Sequence, residues 1–197
     1  MTDDLDGLAQ LVRRRADSID ASFRALRAKD YPTQHLRDLV EFPSRVAAQV
    51  RAAVERDLSQ ALVPAASDRL KSAIANRIKR YGRALQFVSQ SLAFVEAADA
   101  LSVPSGFVYY LAEQSTRLMP DAQLALRGDP EFNYGFLPIG PAVNGSLPAD
   151  VTPRLSDKFG LFVIPSALHE DALQHCILGH ELGHFLERTD GLLDEVW

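Results

Sequence analysis

Six residues, Gly179 to His184, constrain this sequence more than any other stretch, because the chemistry they suggest requires a helix. Each residue of an α-helix turns by about 100°, so His180 and His184 lie on one face, one turn apart, with Glu181 beside them. Two neutral imidazoles at this spacing can bind one Zn²⁺ and leave a coordination position for water. Glu181 is then placed to take a proton from that water as a general base.

Apolar residues surround this motif on both sides. Between Ile177 and Leu186 the only charged residue is Glu181, and this pattern predicts a metal-bearing helix that packs against a core. The alternative is a buried helix whose histidines bond only to the backbone. Burial of two histidines and a glutamate without a partner is costly, so the pattern favours the metal site. The apolar residues are Ile177, Leu178, Leu182, Phe185 and Leu186.

At Ile177 to Leu186, about ten of its 197 residues, the chain resembles the zincin metallopeptidases. The resemblance implies a zinc-dependent peptidase in which His180 and His184 bind Zn²⁺ and Glu181 is the general base. Zincins also hold an extended peptide substrate along the edge strand of a sheet that shortly precedes the active helix. Residues 159–165, FGLFVIP, form a predicted strand at that place in the chain.

The third zinc ligand departs from the metzincin pattern. That branch has a glycine three residues after the second histidine and a third histidine three residues later, and here these positions hold Glu187 and Asp190. Without the glycine the helix is expected to continue to Gly191, which has the features of a helix-ending C′ residue. Glu187 shares the face of His180 and His184, and we expect it to be a solvated or supporting carboxylate rather than a ligand.

A gluzincin-like site, with a third ligand from a later helix, is the other possibility that the resemblance offers. The candidates for the third ligand are therefore Asp190, Glu187, Glu195 and a residue beyond Trp197. In the last case the sequence is a fragment, and we expect it to bind zinc weakly because two protein ligands leave too many positions to solvent.

Composition narrows the partners and the compartment. The net charge of −5 argues against nucleic acid as the main partner, so a peptide or protein substrate is expected. The single cysteine, Cys176, excludes an internal disulfide and fits the cytoplasm. The acidic beginning MTDDLDGLAQ does not resemble a signal peptide, and no apolar run approaches about 18 residues, so no membrane segment is expected.

The first hundred residues have helical periodicity. Apolar residues recur at spacings of three, four and seven in the first segment, with Arg13, Arg14 and Arg15 on the other side. We interpret this basic triplet as a solvated face rather than a nucleic acid or phospholipid site. The apolar positions are Leu8, Leu11, Val12, Ile19, Phe23 and Leu26.

Two further helices are predicted before residue 104. The second runs from an N-cap at Ser44, after a proline, to about Ala61. The third begins at a cap formed by Ser67 or Asp68 and continues to about Leu101. The amino-terminal part of the chain is therefore expected to be almost entirely helical.

After residue 104 the long helical pattern of the sequence is replaced by shorter predicted elements. A helix is predicted over 107–119, short strands over 123–127 and 132–137, and a Pro- and Gly-rich loop over 138–153. We therefore predict an α+β fold in two parts. Residues 1–104 form a helical region, and residues 105–197 form a small sheet that packs on the long metal-bearing helix.

The leading hypothesis is a zinc-dependent metallopeptidase. The alternative is a non-catalytic helical interaction or sensor protein whose metal site is degenerate or structural. A third ligand and an open cleft over Glu181 would distinguish the two. Four residues are candidates for stabilising the oxyanion of the tetrahedral intermediate: Tyr109, Tyr110, Tyr134 and His169.

Overall fold

The computed structural model describes residues 2–29, 31, 34–96, 110, 113–115, 117, 121–129, 134–165 and 177–190. This part of the chain is mostly helical and contains one small mixed sheet, which confirms the predicted α+β class. The predicted helix 107–119 lies largely outside the described residues. The elements are α1 (Thr2–Leu26), α2 (Gln34–Ala61), α3 (Asp68–Ser91), a 3₁₀ helix (Ala93–Glu96), β1 (Gln123–Asp129), β2 (Gly135–Pro138), α4 (Ile139–Ser146), β3 (Phe159–Pro165) and α5 (Ile177–Asp190).

The chain divides into two compact units. The helical unit comprises Met1–Arg27, Val40–Leu92 and Gly145–Arg154, and the sheet unit comprises Ala28–Leu39, Ala93–Asn144 and Leu155–Trp197. The predicted boundary at residue 104 lies outside the described residues. None of the helices in the described ranges combines the length and the apolar character needed to cross a bilayer.

Helices α1, α2 and α3 of the helical unit each have buried apolar residues, and ion pairs link α2 to both of the others. Arg13 pairs with Glu55 at 2.7 Å and Arg51 pairs with Asp17 at 2.7 Å, so α1 and α2 run antiparallel. A short connection, residues 62–67, then returns the chain into α3, which lies beside α1. We interpreted the triplet Arg13–Arg15 as a solvated face. One member, Arg13, instead forms an ion pair that links α1 to α2.

Helix α2 continues through Pro43, so the prediction of a helix start at Ser44 is wrong. Proline removes one backbone hydrogen bond and normally breaks a helix interior. Here fully buried side chains on both sides of the proline, among them Phe42 and Val46, hold α2 against the core. Tertiary packing therefore outweighs the local signal, and Ser44 is buried instead of capping a helix.

Helix α3 begins where the sequence predicts. Ser67 is the N-cap, and its side chain accepts a hydrogen bond from the Leu70 backbone N–H at 3.2 Å. The helix ends at Ser91, ten residues before the predicted end, and a 3₁₀ helix follows. This tighter turn accompanies complete burial of Leu92 and Val95, so local packing sets the end of α3.

A charged network lies inside the helical unit. Asp57 is fully buried, and its Oδ1 atom accepts a hydrogen bond from Arg77 at 2.9 Å. Tyr81 and Arg56 both donate to Asp150 Oδ2, at 2.5 and 2.9 Å. Burial raises the pKa of Asp57 in spite of the nearby arginines, whereas the bonds from Tyr81 and Arg56 outweigh burial and lower the pKa of Asp150. The network ties the segment around Asp150 to α2 and α3.

The sheet has the order β1–β3–β2, so β3 is its central strand. It pairs with β1 in parallel and with β2 antiparallel, from Gly135 opposite Val163 to Pro138 opposite Gly160. The strand predicted over 159–165 is confirmed, but its expected role as a substrate-binding edge is wrong, because both of its backbone edges are already paired. In the described sheet β1 and β2 are the edge strands.

Helix α4 occupies part of the stretch 138–153 that was predicted to be a loop. Gly140 permits this, because a Cβ at that position would lie 1.9 Å from the Ser156 carbonyl oxygen. Asn144 fixes the same segment, since its side chain donates to the Leu155 carbonyl and accepts from the Leu155 N–H, both at 2.9 Å. The Pro- and Gly-rich composition therefore reflects a short, closely packed helix.

Candidate metal centre

Helix α5 carries the two histidines and packs beside the sheet. Leu182 is buried in an apolar cluster with residues of β1 and β3, and Phe136 of β2 packs against that cluster. Ile177, by contrast, is 47% exposed. The predicted burial of α5 is therefore one-sided in the described residues: Leu182 faces the sheet, and the histidines lie on an accessible face.

The imidazole rings of His180 and His184 converge. Their Nε2 atoms are 3.0 Å apart, and the rings are nearly perpendicular, with centroids 4.4 Å apart. In a tetrahedral site with Zn–N bonds of about 2.05 Å, two ligating nitrogens are about 3.3 Å apart. The pair is therefore within about 0.3 Å of the separation that a shared zinc ion requires. The spacing of the two residues in the sequence accounts for this geometry, as predicted.

Glu187 lies behind His184 on the same helix. Its Oε2 atom is 3.4 Å from His184 Nδ1. A carboxylate at this position favours the tautomer with a proton on Nδ1, which leaves the Nε2 lone pair available to a metal. Glu187 thus has the geometry of a supporting carboxylate, the role that the sequence favoured, and it also contributes to orienting the ring.

The remaining residues of the motif leave space beside the histidines. Glu181 is half-buried, and the added Cβ of a side chain at Gly179 or Gly183 would meet no described atom within 4 Å. In a helix these two glycines adjoin the face formed by the histidines. The described surroundings of the motif are therefore compatible with the approach of an extended chain.

A third ligand is not found among the described side chains, which contain no group of three or more residues arranged to hold a metal. Helix α5 runs without a break through Glu187 to Asp190, so the turn that a metzincin makes at this point is absent. On a regular helix the backbone position of Asp190 is about 120° around the axis from that of His184. Residues 191–197, with the candidate Glu195, lie outside the described residues.

Tyr134 and Tyr110 are the two oxyanion candidates that the structure describes, and Tyr134 lies in the sheet unit directly before β2. It is half-buried and packs against the apolar cluster that contains Leu182 of α5. Tyr110 is 57% exposed. Tyr109 and His169 lie outside the described residues. Tyr134 lies within the predicted strand 132–137, of which residues 135–138 form β2, so its place beside the sheet agrees with the sequence pattern.

No protein-family model, curated protein or solved structure matches this chain. The convergent histidines and the described neighbours of α5 are therefore the basis on which function is proposed.

Proposed function

We propose that this chain is a zinc-dependent metallopeptidase of the zincin type. The observation that carries the proposal is the 3.0 Å separation of His180 Nε2 and His184 Nε2 on an accessible helix face. Among the described side chains of α5, Leu182 is the buried one, so the convergence of the two exposed imidazoles is not a requirement of the core packing described there. A peptide or protein is the proposed substrate, and Zn²⁺ is the proposed cofactor.

The residues of the motif have distinct proposed roles. His180 and His184 would bind Zn²⁺, and Glu187 would hold the His184 ring in its metal-binding tautomer. When bound, zinc supplies a Lewis acid that polarises the scissile carbonyl and acidifies water. Glu181 accepts a proton from the attacking water on its carboxylate and donates it to the nitrogen of the leaving amine.

The sheet supports a site for an extended substrate at β2 rather than at β3. Strand β2 is an edge strand in the described sheet, it contacts α5, and Leu137 and Pro138 on it are exposed. A peptide that added to this edge would pass beside the helix that carries the histidines. The proposed substrate therefore still binds along an edge strand beside the metal-bearing helix, as the resemblance to zincins implies, but that strand is β2 and not β3.

The experiment that tests the proposal compares the parent chain with Glu181→Gln on a proteome-derived peptide library, with new termini detected by mass spectrometry. We expect the variant to keep its zinc and to lose turnover by roughly 10²- to 10⁴-fold, because the proton acceptor is removed. Arg127→Gln, a change on β1 outside the motif, serves as a control that retains activity. Equal turnover by parent and Glu181→Gln would contradict the role of Glu181.

The alternative function is a non-catalytic interaction or sensor protein with a structural or degenerate metal site. The specific observation in its favour is that the described side chains provide two ligands and no third. A parent chain that binds zinc and cleaves no peptide of the library would favour this alternative. The proposed compartment is the cytoplasm in either case, on the basis of the single cysteine.

A further inference from the structure

Helices α1 and α3 form a long groove on the surface of the helical unit. Three adjoining cavities of about 190, 330 and 450 Å³ lie along it. Successive cavities share lining residues, first Leu8 and Lys79 and then Leu11 and Gln86, so the three form one continuous depression. On α3 it extends from Lys71 to Gln90, which corresponds to about 28 Å at 1.5 Å per residue.

The floor of this groove is apolar. Leu5 and Val12 are buried beneath it, Leu8 is half-buried, and Leu11 is 55% exposed. Gly82 brings the two helices close together, because a Cβ there would lie 3.3 Å from Val12 Cγ2. A large exposed leucine in a concave surface is available for burial by another molecule.

The rim of the groove is basic. Arg14, Arg15, Lys71, Lys79 and Arg83 line it, and among the described lining residues only Asp4 is acidic. Arg15 bonds to the Gly82 carbonyl oxygen at 3.2 Å, whereas the other four form no ion pair with a described side chain. This positive rim contrasts with the net charge of −5 of the whole chain. Its uncompensated charge favours an acidic occupant.

The helix directions define the shape of the occupant. Leu8 faces Lys79 and Ser18 faces Ser89 across the groove, so α1 and α3 run in parallel. The groove between two packed helices is a channel of helical dimensions, and the side chains of a further helix can pack into it as ridges into a groove. A groove of about 28 Å holds about five turns of helix.

We propose that the groove binds an acidic amphipathic helix of a partner protein, whose apolar face covers Leu8 and Leu11 and whose carboxylates pair with the rim. A concave apolar floor suits a helix better than a lipid surface, which needs a protruding apolar patch. Duplex DNA would use the cations but not the apolar floor. This docking site is independent of the proposed peptidase activity, since it uses residues of the other unit.

The test uses the full-length chain and a fluorescein-labelled peptide of about twenty residues, with leucines at heptad a and d positions and glutamates on the flanks. A second peptide replaces every glutamate by lysine, and a third replaces the leucines by serine. Fluorescence anisotropy titrations are expected to show binding of the first peptide and at least about tenfold weaker binding of the other two. Binding of the first peptide should weaken as salt increases.

The matched variants are Lys79→Glu/Arg83→Glu in the groove and Arg69→Glu/Arg80→Glu elsewhere on α3. Both pairs change the net charge equally, and neither Arg69 nor Arg80 lines the described cavities. The first pair should weaken peptide binding at least about tenfold and the second less than about twofold. Thermal unfolding by circular dichroism establishes that both pairs remain folded.

Three outcomes would overturn the proposal. The first is no binding of the acidic peptide, and the second is an equal loss in both variant pairs. The third is binding of phosphatidylserine vesicles or duplex DNA that is sensitive to Lys79 and Arg83 and tighter than binding of the acidic peptide. A Leu11→Gln variant distinguishes the contribution of the apolar floor from that of the basic rim. It should weaken peptide binding while leaving the charges of the rim intact.

Discussion

Replacement of Tyr81 by phenylalanine tests the electrostatics of the helical unit at alkaline pH. Tyr81 is 1% exposed, and its hydroxyl donates to Asp150 Oδ2 at 2.5 Å. Burial, together with this bond to a carboxylate, raises the pKa of Tyr81 to about 12 from its ordinary value of 10.0. Ionisation of the hydroxyl is therefore easier in the unfolded chain than in the folded chain.

The sign of the effect follows from this difference. Because the folded pKa of Tyr81 is raised, the stability linked to it is fully present below pH 10 and is lost as the pH rises through 12. The parent should lose about 1.4 kcal/mol of unfolding free energy relative to Tyr81→Phe by pH 11, and more by pH 12. At pH 7 the variant is expected to be less stable by about 1–2 kcal/mol, because it lacks the bond to Asp150.

Urea unfolding followed by circular dichroism at pH 7, 9, 10 and 11 measures both quantities. The stability curves of the parent and of Tyr81→Phe should converge as the pH approaches 11. Parent and Tyr81→Phe curves that stay parallel to pH 11 would refute the assignment of a raised pKa to this buried hydroxyl.

Three further predictions concern the metal centre and the sheet unit. Tyr134→Phe should lower kcat by about tenfold to hundredfold with little change in KM if its hydroxyl stabilises the oxyanion, as steady-state kinetics would reveal. Glu187→Ala should weaken zinc binding about tenfold or more, and Asp190→Ala should leave it within about threefold, in competition titrations with a chromophoric chelator. Loss of zinc on changing Asp190 would mean that the helix turns there as in a metzincin. Gly140→Ala should cost about 1–3 kcal/mol in chemical unfolding because its Cβ meets a backbone oxygen, whereas Gly145→Ala, which has open space, should not destabilise the chain.

The sequence predicted those features that depend on local chemistry. The cap at Ser67 follows from the ability of its hydroxyl to bond to the next turn, and it is confirmed. The strand over 159–165 follows from an uninterrupted apolar run, and the convergence of His180 and His184 follows from their spacing on a helix. Each of these depends on residues within about one or two turns of one another.

Features that depend on distant contacts were predicted wrongly or missed. Pro43 lies inside α2 because packing on both of its sides outweighs the lost hydrogen bond. Strand β3 is central because β1 and β2 both pair with it, and strand order is not encoded in the pattern of one strand. The network at Asp57 had one signal that was overlooked: this charged residue shares the helix face of the buried Val50, Val54 and Leu58.

The third zinc ligand depends on more than the local spacing of residues along α5. Local spacing favours Glu187 as a supporting residue, and helix α5 continues without a break to Asp190, whereas a metzincin turns before its third ligand. A ligand supplied by another segment would be determined by tertiary contacts, which spacing does not encode. The affinity for zinc depends strongly on the identity and position of that ligand.

The measurement that tests the central claim most directly is the zinc content of the purified, metal-replete chain by elemental analysis. The parent should contain about one zinc ion per chain, and His180→Ala and His184→Ala should each lose it, since one imidazole does not hold the ion alone. His35→Ala, a change to a histidine on α2, should retain the zinc of the parent. A parent without zinc, or a His180→Ala variant that retains it, would contradict the assignment of a metal centre to α5.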